Sequence, residues 1–316
     1  MVSYIIRRLL IAIPVLFGVT IFNFLIINMA PGNPVEMFID PNTSPELIEL
    51  RKEQLGLNAP LWIQYFKWLG NLFQGDLGFS FTTYEPVTQV VGERLGPTFL
   101  LMGTALLLGI IIAVPLGILS ATKQYSFLDY FTMGVSFLGI SMPTFFLGLG
   151  LIYIFALQLG WLPTGGMMTL GGDGGIADRL RHLILPAFVL SILIAGRMIR
   201  FVRASMLEIL GQDYLRTARA KGLREFVVTN KHALRNALIP IITVIGLEIP
   251  FMLGGAVILE QIFQWPGMGQ LTIQSIFSRD YPTLMAINYI SAIVVLFSNL
   301  LTDIFYSIAD PRIKYQ

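Results

Sequence analysis

Few side chains in this sequence are equipped for chemistry, and their spacing excludes more reactions than it permits. There is no cysteine, hence no thiolate nucleophile, no thiolate metal site and no disulfide. His182 and His232 stand too far apart in the chain to suggest a local metal site, and no paired carboxylates or His-Glu metal motif accompany them. They read as satisfied structural side chains rather than proton relays. No lysine is followed by Ser or Thr, so the Gly-Lys-Ser/Thr loop that cradles nucleotide phosphates is missing. Two features remain. Glu248 is a lone carboxylate in the apolar run Asn236 to Leu259, and the segment from Arg197 to Arg235 carries nine basic and three acidic residues.

The elements that position these groups follow from composition. Only 13% of the 316 residues are charged and 55% are hydrophobic, against about 25% charged in ordinary soluble domains. A soluble globular chain is excluded, and an all-α polytopic membrane protein fits. A bilayer core of about 30 Å needs roughly 20 apolar residues in a helix. Four charge-free runs suffice: Leu9 to about Met29, ended by Pro31, Gly32 and Pro34; Leu95 to Thr122; about Phe131 to Leu157, with a bend at Met142-Pro143; and Thr283 to Thr302, closed by Asp303. In Asn236 to Leu259, Glu248 costs on the order of 3 kcal/mol, while each of thirteen Leu, Ile, Val and Phe residues favours insertion by about 0.3 to 0.6. Insertion wins there, around a buried acid.

The run Leu183 to Gly196 is only fourteen residues long, and charge placement decides its role. Six spans with both termini cytoplasmic put fourteen basic residues inside and seven outside. Omitting the short span would place the basic cluster, Arg312 and Lys314 outside, against the positive-inside rule. The sequence therefore predicts six transmembrane helices, with Arg197 and Arg200 snorkelling to the inner interface. The first span is permanent: its apolar run exceeds a signal core and no cleavage site closes it. This gives a first helix over 1–30, an extracytoplasmic loop domain over 31–96, and a five-helix core over 97–316 that contains the cytoplasmic loop 197–235.

Two polar segments carry the individuality of the chain. The outer loop of 66 residues is locally −4. Its Pro60–Phe73 stretch sets Trp62, Phe66, Leu69 and Phe73 at helical spacing, an apolar stripe that packs on span ends, lies at the lipid interface, or docks an external partner. The inner loop is +6. Within it, Tyr214 to Gly222 predicts a short helix of about nine residues, roughly 14 Å long, with Gly222 ending it or permitting close backbone approach. It forms either a seat for another protein or a basic face held to anionic lipid.

Asp213-Tyr-Leu-Arg-Thr-Ala-Arg-Ala-Lys-Gly-Leu223 and His232-Ala-Leu-Arg-Asn-Ala-Leu-Ile-Pro240 resemble the cytoplasmic coupling motif of bacterial ATP-binding-cassette import permeases. Ala218 and Gly222 match that motif. Arg216 and Thr217 replace its opening residues, and Pro240 lies later than the general spacing, as in the peptide, opine and nickel branch. Tyr4-Ile-Ile-Arg-Arg-Leu9, Pro31-Gly-Asn-Pro34, Leu55-Gly-Leu57, Gln64-Tyr65 with Trp68-Leu-Gly70, Gly75-Asp-Leu-Gly78, Glu93-Arg-Leu95, Trp265-Pro-Gly-Met-Gly269, Arg279-Asp-Tyr-Pro282 and Asp310-Pro-Arg312 extend the resemblance over almost the whole chain. Together they are similar to the first of two permease subunits in oligopeptide and dipeptide importers.

The resemblance implies a non-catalytic subunit of the bacterial cytoplasmic membrane. It implies a second permease, two ATPase subunits and an extracytoplasmic peptide-binding protein as partners, with ATP and Mg on the ATPases and no cofactor on this chain. It assigns ATPase coupling to Thr217, Ala218, Arg219, Ala220, Lys221, Gly222, Leu223 and Arg224. Glu248, Pro250, Gln261 and Met142 are the candidates for the translocation path, with Gln264 beside them at the outer mouth and Trp265 as packing. Nickel or another small solute of the same branch is the alternative cargo. An ion-coupled secondary transporter, which would hold midplane coupling sites and often internal repeats, is disfavoured by the single acid Glu248, and nothing resembles a channel filter.

Overall fold

The computed structural model describes residues 2–29, 53, 58–172 and 174–309. Among these the chain is nearly all helical, with no strand beyond an isolated antiparallel bridge between Phe79 and Pro86. The elements are α1 (Val2–Met29), α2 (Leu61–Phe73), α3 (Val87–Thr122), α4 (Phe127–Ser141), α5 (Thr144–Leu151) with a π-helical continuation Ile152–Gln158, α6 (Ile176–Leu210), α7 (Asp213–Ala220), α8 (Leu234–Ile262), α9 (Met268–Phe277) and α10 (Tyr281–Ala309). A single turn at Glu225–Val227 and a π-helical turn at Val228–Ala233 join α7 to α8. The motif segments at 31–34, 55–57 and 310–312 lie outside the described residues, as do four of the outer loop's eight acidic residues.

Four helices, Ile5–Met29, Val87–Thr122, Ile176–Leu210 and Tyr281–Tyr306, are long and apolar enough to cross a membrane. The count reaches six if each of two bent pairs forms one span. One pair is α4 with α5, which turn by 100° at Met142-Pro143, far more than a kink. Pro143 cannot donate a backbone hydrogen bond and holds Met142 extended. The other is Glu225–Leu238 with Pro240–Pro250, bent by 52°.

The fourteen-residue run predicted as a short span is instead the middle of a 35-residue helix, α6. Leu190, Ile194, Met198, Val202 and Met206 recur every fourth residue and are all buried, so the apolar stripe runs straight past Arg197, Arg200 and Arg203.

The chain groups into two compact units. The first comprises Thr98–Pro266 and Phe297–Gln316. Here α6 packs between α4 and α8. It also meets a stripe of small side chains on α3, Ala105, Gly109, Ala113, Gly117 and Ala121, all buried. Small residues at every fourth position let helix backbones approach where lipid supplies no hydrophobic drive between helices. A β-carbon at Gly117 would lie 2.7 Å from Val202 Cβ and 3.1 Å from the Ile199 carbonyl. Gly117→Ala is expected to destabilise the protein by about 1–3 kcal/mol, read as a lower thermal midpoint of the purified protein. Gly103→Ala on the same helix, where nothing lies within 4 Å, leaves it unchanged.

The second unit comprises Val2–Pro97 and Gly267–Leu296. In it α2 forms as the sequence predicts, but on a different face. Tyr65 and Leu69 are buried against Phe24 and Ile27 of α1 and Met285 of α10, with Trp68 and Leu72 beside them. Of the predicted stripe only Leu69 is buried, while Trp62, Phe66 and Phe73 are exposed. The Tyr65 hydroxyl reaches Thr20 of α1 at 2.9 Å, and this polar tether rotates the helix away from the face that apolarity alone selects. Asp280 fastens the segment before α3 by accepting from Ser80 Oγ (2.5 Å), the Phe81 amide (3.0 Å) and Thr283 Oγ1 (2.8 Å).

Candidate functional site

The short helix of the basic loop is eight residues long, Asp213 to Ala220. Leu215 is wholly buried and Ala218 packs on the same core, with Val228 and Ala233 beneath it. These side chains seat α7 on the first unit. Thr217, Arg219, Ala220, Lys221, Gly222, Leu223 and Arg224 are all exposed, and Ala218 is half-buried. The aromatic rings of Tyr214 and Phe226 are exposed at the two ends of this turn.

Gly222 ends the helix. Its φ is +78°, the left-handed region that costs an L-residue about 1–2 kcal/mol. The Gly222 amide donates to the Arg219 carbonyl at 2.9 Å and the Leu223 amide to Ala218 at 3.4 Å, the paired closure of a Schellman cap. No atom of the chain lies within 4 Å of the place a β-carbon would take. Close packing within the chain therefore does not require glycine here; the backbone conformation does, and the exposed α-carbon leaves room for another surface.

Arg219, expected to contact a partner, is engaged within the loop. Its Nε and terminal nitrogen donate to Glu225 at 3.1 and 2.8 Å, a bidentate clasp across the Gly222 turn. These hydrogen bonds hold the guanidinium pKa above its ordinary value against a smaller opposing effect of burial. The clasp leaves Lys221 and Arg224 as the outward cations: among the described residues neither side chain makes a hydrogen bond or ion pair. Behind the turn, Asn236 of α8 donates to the Tyr214 hydroxyl at 2.9 Å.

Two ion pairs fix α6, whose C-terminal end leads into α7. Arg197 does not snorkel. It donates to Glu248 of α8 at 2.5 Å, and the Glu248 side chain is only 4% exposed. Arg203 grips Asp129 of α4 with two hydrogen bonds of 2.8 Å. Asp129 also accepts from Ser120 of α3 and from the Tyr125 amide, so a buried carboxylate has every oxygen engaged. Composition and spacing did not single out Asp129 or Arg203. The signal was present in the unbroken period of four through the arginines, which demands buried counter-charges elsewhere.

The candidate path residues differ in exposure. Met142 sits exposed at the break between α4 and α5, Pro250 is half-buried in α8, and Gln261 and Gln264 are exposed at the end of α8. Trp265 is fully buried, as packing requires. Glu248 is also not the single acid of the apolar helices. Asp129 and Asp303 lie within candidate spans, and Glu260, near the end of α8, is fully buried and accepts from Thr98 at 2.6 Å. The argument from a single acid thus fails. His182 is satisfied, with Nδ1 2.9 Å from the Gly165 carbonyl and Nε2 3.4 Å from Thr169 Oγ1. His232 lies half-buried in the π-helical turn before α8.

Comparison with known proteins accounts for this arrangement. Residues 1–102 match the N-terminal family of binding-protein-dependent transport system membrane components, and residues 113–315 match the family of binding-protein-dependent transport system inner membrane components. The oligopeptide transport system permease protein AppB of Bacillus subtilis (strain 168) is 49% identical over 316 residues, covering all of both chains. The glutathione transport system permease protein GsiC of Escherichia coli (strain K12) is 40% identical, again over all of both. Among solved structures, an inward-facing form of the MetNI methionine ABC transporter superposes with a TM-score of 0.59 at 15% identity, covering 70% of this chain and 97% of that one, a likeness of fold alone. On the strength of both family matches and full-length relatives, this chain belongs to the binding-protein-dependent transport system inner membrane components.

Proposed function

We propose that the chain is one of two permease subunits of an ATP-driven importer that carries oligopeptides or dipeptides across the bacterial cytoplasmic membrane by alternating access. The carrying observation is the turn from Thr217 to Arg224: a helix seated by Leu215 and Ala218 presents seven exposed residues, two unpaired cations and a left-handed glycine on the loop with the largest basic excess. One of the two ATPase subunits docks there, and the other docks on the second permease. With each bent pair counted as one span, six spans place both termini and this turn in the cytoplasm, in keeping with the distribution of Lys and Arg. The segment 31–96 is then an extracytoplasmic domain facing a peptide-binding protein.

The path is proposed to run past Met142, Pro250 and Gln261, while Glu248 serves it by fixing α8 against α6. Full-length similarity to an oligopeptide permease and a glutathione permease supports peptide cargo. In the reconstituted assembly, unlabelled peptides of graded length are expected to compete with labelled peptide uptake in an ATP-dependent manner, and nickel is not. Competition by nickel would reassign the cargo. Gradient-driven accumulation by this chain alone, without ATP, would overturn primary transport.

A further inference from the structure

A cleft of about 910 Å³ opens in the second unit between the C-terminal half of α1 and the segment from α9 into α10. Its walls are mainly apolar, with Val15, Val19, Phe22 and Ile26 along α1 and Ile276 and Leu284 opposite. Gly18 lies in the middle of the α1 wall, and nothing occupies the 4 Å around the place of its β-carbon. Fixed polar groups line it nearer the Ile27 end. Asn23 donates to the Met285 carbonyl at 3.3 Å and accepts from Asn288 at 2.8 Å.

These contacts set the depth scale. Asn23 is level with Met285 and Asn288, and Tyr281 and Leu284 pack against the cluster that holds Phe24 and Ile27, so Val15 is deep. Arg279, just before α10, stands at the end where α1 finishes. Val15 to Ile27 covers about 18 Å at roughly 1.5 Å per residue, close to one leaflet of a hydrocarbon core about 30 Å thick. Arg279 also lines the cleft, and among the described residues its side chain makes no hydrogen bond or ion pair.

An apolar slot one leaflet deep with an unpaired guanidinium at its mouth complements one molecule: an anionic phospholipid, acyl chain along α1 and phosphate on Arg279. A guanidinium meets phosphate oxygens through paired N–H donors. We infer that this cleft is a phospholipid-binding site selective for anionic headgroups, a role separate from the cargo path.

The test is native mass spectrometry of the assembled transporter released from nanodiscs of mixed phosphatidylglycerol and phosphatidylcholine. Wild type is expected to retain phosphatidylglycerol preferentially at this chain. Arg279→Gln lowers that preference roughly fivefold, the equivalent of about 1 kcal/mol per basic residue at an anionic lipid surface, and phosphatidylcholine still enters. Gly18→Phe, which fills open space, lowers retention of both lipids at least tenfold. Unchanged retention in both variants overturns the site. Displacement by excess soluble glycerol phosphate would assign Arg279 to a free phosphate instead. Cross-linking of Gly18→Cys to the second permease, with no lipid retained, would assign the cleft to a protein helix.

Discussion

Gly222→Trp is expected to reduce ATP-driven peptide uptake at least tenfold and to strip the ATPase subunits from the purified assembly. Two effects add. The turn requires φ of +78°, where an L-residue is strained by about 1–2 kcal/mol, and an indole on an exposed α-carbon would stand between the turn and any docked surface. Gly222→Asn separates them. Asparagine tolerates the left-handed region, so it preserves the cap and adds only a short side chain, and it is expected to keep most ATPase binding and uptake. Normal co-purification and uptake by the tryptophan variant would remove this turn from the coupling interface. Equal loss in both variants would mean that the cap, rather than the docking surface, is what the assembly needs.

The second large effect concerns Arg197 and Glu248. Glu248→Ala removes the carboxylate that Arg197 grips at a buried site, and breaking a buried pair in this way costs about 3–5 kcal/mol. The expected result is a large loss of folded protein after detergent extraction, read by size-exclusion chromatography and thermal midpoint. The double variant Arg197→Met with Glu248→Leu removes both charges and is expected to recover wild-type stability or better. Uptake by the double variant decides the role of Glu248. Retained uptake fits a tie between α6 and α8; a stable double variant without uptake would make Glu248 a path residue after all.

Much of the fold was legible because the bilayer imposes one rule that a sequence shows directly: long apolar runs must become helices. Four of the six predicted spans fall in single long apolar helices and the other two in the bent pairs, and α2 and α7 stand within a residue or two of their expected places. Less legible was every feature that depends on a partner from elsewhere in the chain. Cutting the fourth span at Arg197 followed from treating a charge as a boundary, but Glu248 and Asp129 supply counter-charges from α8 and α4. The stripe on α2 was chosen by apolarity, whereas Thr20 recruits the Tyr65 hydroxyl and turns a different face inward. Pro143 announced a bend, but a single proline does not state an angle, and the 100° turn is known only from where α5 leads.

The site divides in the same way. The basic excess of the inner loop and the glycine-ended helix were legible from sequence, because charge and glycine act locally, and it is the family resemblance around Ala218 and Gly222 that makes this turn the proposed energy-receiving surface. Which of its cations face outward is decided by Glu225 closing on Arg219, three residues beyond the turn. Sequence by itself thus determined that the chain is a helical membrane protein with its basic excess on one loop, since apolarity and charge count are properties of composition and order, and its ordered motifs carried the resemblance to import permeases. Only the tertiary structure decided which charges are paired, which helix faces are buried and where an open cleft remains, because those depend on the proximity of residues tens to hundreds of positions apart.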